Sequence, residues 1–82
     1  MKENTKRYVT SVTLHSEHFL ANVFALTKLL GMQFSIARTI VKGKLNTKID
    51  LVPYYEIKSD LNTDDLLSQL EEYEIKVTII NQ

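Results

Sequence analysis

No cysteine occurs among the 82 residues, which excludes disulfides, thiolate nucleophiles and thiolate metal sites. Tryptophan is absent, proline occurs once and glycine twice, a usage that rules out collagen-like, linker-like and low-complexity classes. Neither sign of charge dominates. Ten basic residues balance ten acidic ones, so the basic excess with which a nucleic-acid binder neutralises phosphates is missing. No apolar run approaches the ~20 residues that cross a bilayer. The opening segment Met1-Lys2-Glu3-Asn4-Thr5 carries no secretory hydrophobic region. A cytoplasmic location is the expectation, for the chain itself or as a cytosolic domain of a larger protein. There is also no Gly-x-Ser-x-Gly elbow, no glycine-rich phosphate loop and no Cys/His pair. The expectation is therefore a non-enzyme without a cofactor.

What the chain does contain is ordinary for one folded domain: 44% apolar and 24% charged residues argue against disorder. A domain of this size buries only ~60–65% of the surface of its unfolded chain. Its core is small, which favours help from a partner or a second copy.

Arg7 to Leu14 is β-branched and aromatic with period two, the pattern of a strand. Ser16 is a suitable N-cap for a helix over Glu17 to Leu30, and Gly31 stands where a left-handed residue ends a helix. Phe19, Leu20, Val23, Phe24, Leu26 and Leu30 form the expected core arc of that helix. Phe34, Ile36, Arg38 and Ile40 alternate with Ser35, Ala37, Thr39 and Val41, predicting a second strand. Gly43 to Thr47 makes the turn, with Gly43 and Asn46 as positive-φ residues. A third strand runs from Lys48 to Lys58, with a bulge or break at Pro53, which has no N–H to donate. Asn62 or Thr63 caps a second helix, Asp64 and Asp65 sit in its first turn, and a last strand covers Ile75 to Ile80. The order β-α-β-β-α-β predicts an α+β, ferredoxin-like sandwich, with two helices on one face of a four-stranded, mainly antiparallel sheet. It would occupy residues 7–82 as a single domain, behind a disordered N-terminal tail over residues 1–6.

Four residues at the first strand-to-helix junction carry the main chemical interest: His15, Ser16, Glu17 and His18. A helix N-terminus there suits a small anion. His15 and His18 are also weak candidates for Zn²⁺ or Ni²⁺, but no fourth ligand stands nearby and no metal is assigned. Ala21, Ala25 and Leu29 make the opposite side of the helix unusually small and apolar, which predicts a dimer interface. Tyr8, Tyr54 and Tyr55, with Arg7, Lys48 and Lys58, invite comparison with a sheet that binds single-stranded RNA. The glycine-containing consensus and the positive charge such a sheet needs are both missing, so nucleic acid is an unlikely partner.

Across nearly the whole chain, the strand Val9 to Leu14, the trio Leu30-Gly31-Met32, the hairpin expected over Ile36 to Ile57, and Asp65 to Leu70 leading into Val77-Thr78-Ile79 together resemble an ACT-type regulatory domain. Small regulatory subunits of acetolactate synthase and cytosolic C-terminal domains of MgtC-type membrane proteins are similar in pattern. The resemblance implies a homodimer or larger protein assembly, with a small anionic effector such as an amino acid bound near His15 to Phe19. At this loop the family often has an acidic residue or Asn followed by Pro-Gly. The chain has Ser16-Glu17-His18 instead.

Overall fold

The β-branched run Arg7–Leu14 forms β1 and lies at the centre of the sheet in the computed structural model, which describes residues 6–82. Lys48–Glu56 (β2) and Ile75–Asn81 (β3) pair with it on either side, both antiparallel, giving the order β2-β1-β3. Three helices complete the chain: α1 (Phe19–Leu30), α2 (Phe34–Val41) and α3 (Thr63–Glu72). The class is α+β, as expected, but the sheet has three strands and not four. Of the tail expected over residues 1–6, the first five lie outside the described residues. Lys6 exchanges backbone hydrogen bonds with Gln82 at 2.9 and 2.8 Å and so extends the ladder between β1 and β3.

The missing strand is the segment that became α2. Alternation would have set Arg38 on the same face as Phe34, Ile36 and Ile40, and an unpaired guanidinium is costly to bury. The helical period instead gathers Ala37, Ile40 and Val41 into the core. Arg38 is left exposed, its guanidinium 5.7 Å from the centre of the Phe34 ring one turn earlier. A short apolar run of eight residues fits either period, and burial decides between them.

With α2 helical, β2 becomes an edge strand, where a proline is tolerated. Ser11 stands opposite Asp50 and Val9 opposite Tyr55, so Leu51 to Tyr54 face Thr10 alone. The expected break at Pro53 is therefore present, and the Val52–Pro53 peptide bond is cis. The register shift between Val9 and Ser11 also changes the parity of β1. As a result Val9, Val12 and Leu14 all point into the core, across from Ile79, Val77 and Ile75. The other face carries Ser11, whose hydroxyl donates to Thr78 Oγ1 at 3.1 Å, together with Thr13, Lys48 and Lys76.

Gly31 ends α1 as the sequence predicts. It has φ of 70°, and its N–H bonds back to Leu26 O. The corner between α1 and α2 is tied to the end of β2 by two bonds, Lys58 N–H to Leu30 O at 3.0 Å and Tyr55 O–H to Gly31 O at 2.7 Å. Burial, and then the charge of Glu56, raise the Tyr55 pKa above the usual tyrosine range, so its hydroxyl keeps the proton it donates. At α3 the cap is Asn62, whose Oδ1 accepts from Asp65 N–H at 2.8 Å, with Asp64 and Asp65 in the first turn. Of the two residues expected at positive φ, Asn46 takes it at 58° and Gly43 does not; Glu74 does so at 60°.

Candidate ligand-binding site

The first helix starts at Phe19, two residues later than the sequence pattern implied, and its N-cap is His18. Ser16 does not cap it. Its hydroxyl accepts from His18 N–H at 3.2 Å, closing a small turn ahead of the helix. His18 makes no side-chain cap bond, so the first-turn amides of α1 keep the partial positive charge of a helix start.

A mouth of about 160 Å³ opens at this point. One wall is Ser16, Glu17 and Phe19 from the approach to α1; the other is Val41 at the end of α2, followed by Gly43 and Leu45. Asn22 forms part of the lining, and only 1% of it is exposed. Its Nδ2 donates to Ser16 O at 2.7 Å, which fixes which way the amide faces. Asn22 Oδ1 then has no partner, the one buried side-chain polar atom so placed among the described residues. Leaving such an acceptor unmatched costs on the order of 1–3 kcal/mol. The mouth therefore brings together the positive start of α1, Glu17, the negative end of α2 and Asn22, whose buried Oδ1 is unmatched.

The four junction residues do not act as one cluster. Ser16 and Glu17 line the mouth, whereas His15 lines a different cleft, between α3 and β3. His15 Nδ1 lies 2.6 Å from Asn46 Oδ1. The imidazole of His18 is exposed and lines neither opening. Among the described residues no three His, Cys, Asp or Glu side chains gather as a metal group would require.

The expected dimer face also needs correction. Ala25 is fully buried and Leu29 nearly so, both within the core, and Ala21 is half-buried. Their side of α1 is covered inside the chain, since α1 packs on α2 as well as α3. Conversely Leu20 and Phe24, expected in the core, are 78% and 53% exposed. The core of α1 is thus rotated towards the helix that the sequence pattern read as a strand.

The tyrosines do not form a platform either. Tyr55 turns to the helix side to reach Gly31 O, Tyr8 stands across from Glu56 and Ile80 on the opposite face, and Tyr54 lies in the irregular part of β2.

Asn22 is not among the residues that the sequence pattern singles out. The available signal was its type: asparagine is disfavoured inside a helix unless its amide has a specific bond to make. No protein-family model, curated protein or solved structure matches this chain. No helix among the described residues is long and apolar enough to cross a membrane.

Proposed function

We propose that the chain is a non-catalytic regulatory domain that binds a small zwitterion of the amino-acid type in the mouth between α1 and α2. The observation that carries this reading is the buried, unmatched Asn22 Oδ1 beside an open helix start. Oδ1 only accepts, so it calls for a donor such as an ammonium group. The amides of Phe19 and Leu20 call for an acceptor such as a carboxylate. An amino acid offers both groups on one carbon, and its ammonium also faces Glu17 and the negative end of α2. A buried water would satisfy Asn22 Oδ1 but leave the helix start to solvent.

The test is thermal unfolding with each common amino acid added singly, beside acetate and methylamine. A ligand at ~100 times its Kd stabilises by about 2.7 kcal/mol, or roughly 10 °C or more for a domain of this size. The expected result is such a rise with one amino acid or a chemical subset, little with acetate or methylamine, and none in Asn22→Ser. Midpoints indifferent to every amino acid, or a rise that survives Asn22→Ser, contradict the reading.

Leu20 and Phe24, one turn apart and both exposed on the outer side of α1, favour a second property, self-association through this stripe in place of the buried Ala25 side. Leu20→Glu is expected to halve the mass seen by light scattering. A wild-type chain that is monomeric at every concentration would remove the dimer.

A further inference from the structure

A property independent of the ligand reading emerges at the opposite edge of the sheet. Strand β3 pairs with β1 on one side, and among the described residues no strand pairs with its other side. The two free edges are not equivalent. Along β2 the ladder is interrupted from Leu51 to Tyr54, and Pro53 has no N–H, which blunts that edge against pairing. Below its single register shift, β3 runs regularly from Thr78 to Ile75 against Ser11 to Leu14. A cleft of about 430 Å³ lies against it, lined by Leu67, Glu71 and Glu74, by Ile75, Lys76 and Val77 of β3, and by His15. Leu67 is 38% exposed there.

Charge identifies the occupant. Six of the ten acidic residues lie between Lys58 and Lys76, and no basic residue interrupts them. The ion pairs among the described residues engage Glu56 and Asp50, not the carboxylates of α3. Glu71 and Glu74 therefore line the cleft outside any ion pair, beside Lys76 as its one lysine and His15 at its end. We infer that the free edge of β3 is a docking site for an extended basic peptide, which adds to the sheet as a fourth strand. Its backbone would complete the open ladder. Its alternate side chains would meet Leu67, Glu71 and Glu74 on the helix side, favouring leucine and lysine or arginine there. Those on the other face would meet Lys76 and Thr78, favouring small neutral residues. A second copy of this chain fits poorly as the occupant, because pairing β3 with β3 would bring two acidic α3 regions together. Nucleic acid is repelled for the same reason.

The probe is a capped, fluorescently labelled peptide in which lysine and leucine alternate with threonine, beside the same peptide with glutamate in place of lysine. Saturable binding of the basic peptide alone is expected, weakening as salt is raised. The double variant Glu71→Gln/Glu74→Gln should weaken it roughly fivefold to tenfold, the effect of two exposed charge pairs. Hydrogen exchange should slow at Lys76 to Thr78 on binding and remain unchanged along β2. Failure of the basic peptide to bind, equal binding of both peptides, indifference to the double variant, or protection along β2 would each overturn the inference. Asn22→Ser should leave peptide binding unchanged, so the outcome is separable from that of the amino-acid site.

Discussion

Replacing Gly31 by alanine is expected to destabilise the chain by roughly 4 kcal/mol. Two causes act together. The residue sits at φ of 70°, which costs an L side chain on the order of 1–2 kcal/mol. A Cβ at this position would also lie 2.6 Å from Lys58 Cβ and against the Lys58 carbonyl oxygen. Backbone cannot step aside as a flexible side chain can. The α1–α2 corner would have to lift from the end of β2, straining the Lys58 N–H to Leu30 O and Tyr55 O–H to Gly31 O bonds, each with a net value of about 1 kcal/mol. Domains of this length have a total stability of only ~4–12 kcal/mol, so Gly31→Ala should remove roughly a third or more of it. Urea unfolding measures the loss. Gly31→Asn separates the causes, since asparagine tolerates the left-handed region but still brings a Cβ. It should be nearly as damaging as alanine. A well-folded Gly31→Asn would show that φ alone governs this corner and that the close approach to Lys58 is not tight.

Leu26→Ala should cost about 3 kcal/mol, whereas Leu20→Ala in the same helix should stay within ~0.5 kcal/mol. Leu26 is fully buried and Leu20 is 78% exposed, so only the first leaves a cavity. Alanine has the higher helix propensity, a small gain common to both positions. Their difference therefore isolates packing. The comparison is sharp because helical periodicity alone sets both leucines on one apolar arc. Equal costs at the two positions would mean that α1 is rotated from the orientation described, with Leu20 and Phe24 turned inwards.

That rotation marks the boundary of what the sequence makes legible. Elements with local punctuation were readable: β1 from its alternation, the end of α1 from Gly31, the start of α3 from the pair Asn62-Thr63, and the break in β2 from Pro53. Each is determined by chemistry within a few residues of itself. Phe34 to Val41 has no such marker. Gln33 makes no side-chain cap bond, and the short apolar run suits a strand as well as a helix until the cost of burying Arg38 is counted. One misread element then displaced the rest. A second strand in place of α2 implies a four-stranded sheet, makes β2 central, and leaves Ala25 and Leu29 without the neighbour that buries them.

The candidate site was legible only in its neighbourhood. The β1–α1 junction, with a helix start beside it, was apparent from Ser16 and Glu17. Asn22, Val41 and Gly43 were not, because the last two reach the site only once α2 is a helix folded back beside the start of α1. Asn22 acquires meaning only when its Nδ2 is seen to be engaged by Ser16 O and its Oδ1 is not.

The central claim, that the mouth beside Asn22 holds an amino-acid-like zwitterion, is tested most directly by NMR. Glycine, alanine and serine, small enough for the mouth, would be titrated separately into the isotopically labelled chain. The account predicts saturable shifts, for at least one of them, of the Asn22 side-chain amide and of the backbone amides of Phe19 and Leu20, with β3 unmoved. Spectra unchanged at high concentration of all three, or shifts that cluster away from Asn22, would contradict it.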